Sequence, residues 1–220
     1  MLTVGELAVT RPSSVKVLQR LGIDFCCGGA LPLAEACLNQ GVDPRAVLDE
    51  VEREEARASG VDDRWDLAPL PELIAHIVST HHRPLDAELP RLTALVEEVT
   101  TADRPRDPEG MDALRDLWSR LVSDLLPHLR EEEAHVFPWI LGDRATDPPK
   151  AIYGMGSEHV HVSRALTELR EVTDEYTLPD DASDARKALW AGLEALEADL
   201  QRHIHLENNV LFPRAVQTAP

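Results

Sequence analysis

An eleven-residue phrase occurs twice in the sequence, and this repeat constrains the fold more than any other feature. In both copies, at residues 128–138 and 203–213, a histidine is followed four residues later by a glutamate, nine later by a phenylalanine and ten later by a proline. A spacing of four places the histidine and the glutamate one above the other on one helix face, close enough to bind a metal ion together. The repeat therefore predicts two helices that each offer a His-Glu pair.

A further histidine precedes each phrase at a nearly constant distance. His82 lies 46 residues before His128, and His159 lies 44 residues before His203. On this pattern, residues 68–216 form two helical hairpins of similar plan. Each hairpin contributes one lone histidine and one His-Glu pair, so the inventory is four histidines and two glutamates.

Composition and turn signals predict an all-α protein. Glu, Leu, Ala, Arg and Asp are abundant while aromatic residues make up only 4% of the chain, which favours helices over sheets. We predict a small helical N-terminal domain at residues 1–58, a polar linker at 59–67 and an up-down-up-down four-helix bundle at 68–217. The predicted helices are, in chain order, 13–21, 31–39, 44–57, 69–100, 110–140, 149–176 and 182–208.

The charge and the hydropathy pattern exclude several partner classes. The formal net charge of −18 is spread along the chain, which disfavours binding to phosphate backbones or anionic lipids. The N-terminus lacks the basic and apolar regions of a signal peptide, and no apolar stretch approaches membrane-spanning length. We expect a soluble cytoplasmic protein without nucleic-acid or membrane partners; both a monomer and a homodimer are compatible with the sequence.

The ligand candidates lie on the apolar stripes of the predicted helices and should face the bundle interior. A carboxylate in such an interior is costly unless it is paired or bound to a metal. Imidazole and carboxylate ligands suit iron, manganese or zinc rather than calcium, and we favour iron. Four histidines and two glutamates can give each of two metal ions two nitrogen ligands while both carboxylates bridge the ions, as in the carboxylate-bridged di-iron bundles. A bundle that is metal-free or held together by zinc is the structural alternative.

Other residues near these positions leave open choices. Periodicity does not decide between His81 and His82 as the ligand of the first bundle helix, and Pro84 is expected to kink that helix. The Phe-Pro pairs after each glutamate are expected to close their helices around a buried phenylalanine. Three histidines fall off the metal face and are expected at the surface or behind the ligands: His135, His161 and His205.

The N-terminal region contains two adjacent cysteines, Cys26 and Cys27, followed by two glycines. The glycines predict a loop with both thiols exposed. Two interpretations of the pair stay open: redox chemistry, nitrosation or transient metal handling on the one hand, and an inert pair on the other. Cys37 lies in a predicted helix and is expected in the core.

These motifs together resemble the iron-sulfur cluster repair di-iron proteins, the RIC family, over essentially the whole chain. The Cys-Cys-Gly-Gly loop joined to a hemerythrin-like bundle is the most specific part of the resemblance. The segments that carry it are Thr3–Ala8, Leu21–Gly29, Leu73–Val78, Ser157–His159 and His203–Pro213.

The resemblance implies a hemerythrin-like four-helix bundle with a non-haem, carboxylate-bridged pair of iron ions and an oxo or hydroxo bridge. Glu132 and Glu207 would be the bridging carboxylates, and His82 is favoured over His81. The ligands that the resemblance implies are His82, His128, Glu132, His159, His203 and Glu207.

The resemblance also implies a function. Members of the family are associated with repair of iron-sulfur clusters damaged by nitrosative or oxidative stress, through iron donation or through nitric oxide binding or reduction, with a cysteine pair assisting. Here that pair would be Cys26 and Cys27. The expected partners are damaged iron-sulfur proteins, with nitric oxide or oxygen as small ligands. The alternative is an oxygen or nitric oxide sensor without turnover.

Overall fold

The computed structural model describes residues 1–57, 64–142 and 150–217. Within these ranges, extended structure is limited to an isolated bridge between Thr3 and Pro32, so the prediction of an all-α protein is confirmed. Most of the predicted linker, residues 59–63, lies outside the described residues. The helices are α1 (Val4–Thr10), α2 (Ser14–Arg20), α3 (Leu33–Asn39), α4 (Pro44–Arg57), α5 (Leu70–Ile77), α6 (Arg83–Asp103), α7 (Pro108–Glu131), α8 (Phe137–Leu141), α9 (Lys150–Val172), α10 (Asp184–His205) and α11 (Phe212–Gln217).

Local capping chemistry sets where the N-terminal helices begin. The Thr3 side chain accepts from the N–H of Glu6, and the Glu6 carboxylate accepts from the N–H of Thr3, which is a capping box. This box starts α1, a helix that was not among the predicted ones. At α4 the Asp43 carboxylate accepts from the N–H of Arg45, and the helix spans the predicted residues.

The chain forms two compact units. The first holds Met1–Ile77, Ile140–Asp147 and Gln201–Pro220, and the second holds Val78–Trp139 and Pro148–Leu200, as far as these ranges are described. In the first unit, α1 to α4 surround a shared apolar core that includes Val4, Leu18, Phe25, Cys37 and Val51. The expectation that Cys37 belongs to the core is therefore confirmed. No helix in the described part of the chain has the length and apolar character needed to cross a membrane.

In the second unit, consecutive long helices run antiparallel. Trp118 donates to Thr93 at 3.0 Å, while Arg115, earlier on α7, donates to Thr100, later on α6, at 2.7 Å. The same order, in which a later residue of one helix pairs with an earlier residue of the next, is found twice more. Between α7 and α9, His128 pairs with Glu158 and Arg120 with Glu168. Between the α9 region and α10, Arg170 pairs with Glu197 and Thr177 with Trp190. The predicted up-down-up-down bundle is confirmed.

In the described part of the chain, three π-helical turns interrupt the bundle helices at the ligand candidates. We name them π1 (Val78–His82), π2 (Glu132–Val136) and π3 (Leu206–Leu211). A π turn accommodates one extra residue, so it rotates the following side chains by roughly 100° relative to an uninterrupted α-helix. These turns, which sequence periodicity did not predict, therefore set which side chains face the site.

The Phe-Pro pairs follow π turns and do not close their helices, so the predicted helix ends are wrong, whereas the expected burial of the phenylalanine is confirmed for Phe137. The N–H of Phe137 donates to the carbonyl of Glu132, and the N–H of Phe212 donates to the carbonyl of Glu207, each across five residues. The next residue is a proline, which has no N–H to offer to the preceding turn. The wider turn therefore leaves no additional backbone N–H without a partner at this position. The chain continues beyond it as the helices α8 and α11.

Glu197 is the acceptor in a buried polar cluster between the α9 region and α10, and it gives a test of this packing. It accepts from Arg170 at 2.9 and 3.1 Å and from the Tyr176 hydroxyl at 2.8 Å. Because Glu197→Ala leaves both donors without this partner, we expect it to lower the free energy of unfolding by about 3 kcal/mol in urea denaturation. The control is Glu194→Ala, an exposed position on α10. Equal losses in the two variants would contradict the assignment.

Candidate metal centre

The second unit gathers four of the predicted ligands in its interior. His82 ends π1, His128 lies in the last turn of α7, Glu132 begins π2 and His159 lies on α9. All four side chains are at most 4% exposed, and Glu132 has no exposed side-chain area. A fully buried carboxylate surrounded by three imidazoles is an arrangement that needs positive charge nearby.

The two oxygens of Glu132 face different histidines. Oε2 lies 3.6 Å from Nε2 of His82. Oε1 lies 3.3 Å from Nε2 of His128 and 3.9 Å from Nε2 of His159. One carboxylate with a histidine on one side and two on the other can serve two neighbouring cations, one at each oxygen.

Two further carboxylates hold the outer nitrogens of these rings. Nδ1 of His82 donates to Glu133 at 3.0 Å, and Nδ1 of His128 donates to Glu158 at 2.6 Å. A neutral imidazole that donates through Nδ1 keeps its lone pair on Nε2, the nitrogen that faces Glu132. Both carboxylates were missed by the sequence analysis, although each is a direct neighbour of a predicted ligand.

Glu133 is fixed by two donors. Its other oxygen lies 2.5 Å from the Arg83 guanidinium. Partial burial raises the pKa of the Glu133 carboxyl, but the hydrogen bonds from His82 and Arg83 outweigh burial and leave the pKa below its usual value. Glu133 is therefore an ionised acceptor that holds the His82 ring in one orientation.

The first unit contains the remaining predicted pair. Nε2 of His203 lies 3.0 Å from Oε1 of Glu207, and both side chains are buried. His203 is on the last turn of α10 and Glu207 is in π3, so the predicted spacing of four places the two groups side by side. The repeated phrase therefore has the same local geometry in both copies.

The other histidines are distributed as follows. His81 is also buried, but its Nδ1 lies 2.9 Å from Asp199, and the structure places His82 beside Glu132 instead. His135 and His161 are exposed. His205 packs edge-on against Phe25, with ring centroids 5.5 Å apart, and burial lowers its pKa to about 4.

The cysteine loop differs from the prediction in one respect. Cys27 is partly exposed, whereas Cys26 is 4% exposed, so the expectation of two exposed thiols is wrong for Cys26. The Cys26 thiol donates to Asp24 at 3.3 Å and lies 3.8 Å from the sulfur of Cys27. The hydrogen bond to Cys27 and burial raise the pKa of Cys26 well above its usual range, so this thiol stays protonated.

The donor set of the second unit fits a transition-metal cation. Imidazole nitrogens and carboxylate oxygens are the ligands that iron, zinc and manganese share. Two ligands that meet at a right angle on one ion, with bonds of about 2.1 Å, lie about 3.0 Å apart. The Nε2 atoms of His128 and His159 are separated by 3.0 Å. A small divalent ion therefore suits these donors by both chemistry and spacing.

The fold and the site together define an all-helical cation-binding protein built on buried histidines and glutamates. The chain belongs to the hemerythrin family: the model of the hemerythrin HHE cation binding domain matches residues 73–215. A second model, ScdA_N, described as a domain of unknown function, matches residues 2–55.

Curated relatives extend this similarity over nearly the full chain. The chain is 34% identical to the iron-sulfur cluster repair protein YtfE of Dickeya chrysanthemi, over 98% of this chain and 96% of that protein. It is 33% identical to the proteins of that name from Yersinia pseudotuberculosis and Yersinia pestis, with the same coverage. The predicted resemblance to iron-sulfur cluster repair proteins is confirmed.

The contact between Glu133 and His82 can be tested by metal competition. Glu133→Gln keeps the size of the side chain but replaces the carboxylate that holds Nδ1 of His82. We expect affinity for ferrous iron to fall by about 10- to 100-fold, measured anaerobically against a chelator. The control is Glu98→Gln, which neutralises an exposed carboxylate on α6. If the two variants bind iron equally well, Glu133 does not orient His82.

Proposed function

We propose that this protein holds two iron ions and takes part in the repair of iron-sulfur clusters damaged by nitrosative or oxidative stress. The observation that carries the proposal is the fully buried Glu132 carboxylate, whose two oxygens face histidines on opposite sides. The similarity to iron-sulfur cluster repair proteins favours repair over a sensor without turnover. Damaged iron-sulfur proteins are the proposed partners.

The proposed ligands of the two ions are the six residues that the family resemblance implies: His82, His128, Glu132, His159, His203 and Glu207. Glu132 is proposed as one bridging carboxylate. Glu207 is proposed as the second bridging carboxylate, because it occupies in the second phrase the place that Glu132 has in the first. The cation-binding family model spans all six residues.

When bound, the iron pair would supply positions for a small ligand such as nitric oxide and a store of iron for transfer to damaged clusters. The residues of this chain would control the site in two ways. Glu133 and Glu158 hold their histidines with Nε2 toward the site. Glu132 has no exposed side-chain area and three buried histidines around it, so bulk water is excluded and electrostatic interactions there are strong.

Iron analysis tests the ligand set. We expect about two iron ions per chain, an expectation that follows from two histidine sets around one carboxylate. Glu132→Gln should lose iron because it removes the bridging charge, whereas Glu98→Gln on the surface of α6 should retain it. Full iron content in Glu132→Gln, or no iron in the unaltered protein, would refute the proposed centre.

Repair is tested separately from iron binding. We propose that the thiols of Cys26 and Cys27 assist the repair, so Cys27→Ser, at the more exposed position, should abolish recovery of a nitric-oxide-damaged iron-sulfur enzyme while the iron spectrum of the protein survives. Cys37→Ser, in the core of the N-terminal helices, controls for loss of a thiol as such. Unchanged recovery in both Cys26→Ser and Cys27→Ser would remove the cysteines from the mechanism.

A further inference from the structure

The cysteine loop is held by the residues that directly follow Glu207. Asn208 Nδ2 donates to the carbonyl of Cys26 at 3.2 Å. Asn209 Nδ2 donates to the carbonyl of Phe25 at 3.0 Å and lies 3.4 Å from that of Cys26. These atoms all belong to the first unit. The loop backbone thus relies on π3 for hydrogen bonds that a surface loop would ordinarily obtain from water.

The other end of the Asn209 amide explains Gly29 of the loop and Gly5 of α1. A Cβ atom on Gly29 would lie 2.3 Å from Asn209 Oδ1, and one on Gly5 would lie 2.8 Å from the same atom. The backbone between these glycines is also tied, because the N–H of Gly5 donates to the carbonyl of Gly29 at 2.8 Å. Here glycine is needed for close approach of the Asn209 side chain.

The loop also has an internal support that fixes the thiols. Oδ1 of Asp24 accepts from the N–H of Cys26 at 3.0 Å and from the N–H of Cys27 at 2.9 Å. The same oxygen accepts the Cys26 thiol. Asp24 therefore shapes the turn from inside, while Asn209 attaches the turn to π3. The result is a buried Cys26 beside a partly exposed Cys27.

From these contacts we infer that Asn209 is a positioning residue for the cysteine pair: it fixes the loop on the π turn of Glu207 and keeps the Cys26 thiol covered while Cys27 faces outward. Releasing the loop uncovers Cys26 and makes both sulfurs available together. Only the role of the two thiols in repair rests on the proposed function. The positioning of the loop by Asn209 is a property of the first unit and does not depend on it.

Thiol labelling of the full chain tests this inference. Iodoacetamide labelling of the iron-loaded protein, followed by mass spectrometry, gives separate rates for Cys26 and Cys27. Asn209→Ala removes the donors and the contact with Gly29, and Asn209→Asp removes the donors at constant size. In both variants we expect Cys26 labelling to accelerate on the order of tenfold, because hydrogen bonds to the loop carbonyls are lost. Asn39→Ala, at an exposed asparagine ending α3, should leave both rates unchanged.

A second variant approaches the same contact from the loop. Gly29→Ala places a methyl group against Asn209 Oδ1, so it should accelerate Cys26 labelling while every asparagine is kept. Iron content is measured on each sample. Faster Cys26 labelling with iron retained supports the inference. Unchanged Cys26 rates in all three variants, or acceleration only in samples that have lost their iron, would overturn it. Failure of the proposed repair function would appear in the recovery assay and leave these labelling rates unaffected.

Discussion

The burial of Glu132 is the constraint on which the rest of the site depends. A carboxylate with no exposed area in an apolar bundle is tolerated only where positive charge or hydrogen-bond donors reach both oxygens. Three histidines from three different helical segments face these oxygens. Two of them are held in turn by Glu133 and Glu158, so that their Nε2 lone pairs and the carboxylate form one donor set, for which a cation would supply the positive charge. The carboxylate thus explains why histidines converge here, and the outer carboxylates explain why the rings keep their orientation.

The π turns convert a repeated sequence phrase into a repeated geometry. In each copy the carbonyl of the ligand glutamate accepts from the phenylalanine five residues later, and a proline follows. The wider turn rotates the chain beyond the glutamate by about one residue's worth of helix twist, roughly 100°. The chain then continues past the glutamate as α8 or α11. The side chains of these helices point in directions different from those they would have in an uninterrupted α-helix.

The second copy of the repeat, residues 203–213 with π3, also supports the cysteine loop in the first unit. Its two asparagines support the backbone of the cysteine loop, and Asn209 fills the space left by Gly29 and Gly5. The loop therefore has two levels of support, Asp24 within the turn and π3 outside it. A pair of adjacent thiols with unequal exposure results, because the same contacts that order the loop also cover Cys26.

The sequence by itself determined the helical class and the repeated His-Glu pairs, because both depend on local spacing along a helix. It also pointed to His82 through the family resemblance, although periodicity left His81 equally possible. Tertiary structure decided what depends on contacts distant in sequence: His81 turns to Asp199, Glu158 reaches His128, and Cys26 is buried. The π turns were missed for a different reason, since periodicity assumes an unbroken α-helical phase, and only the folded backbone shows where that phase changes.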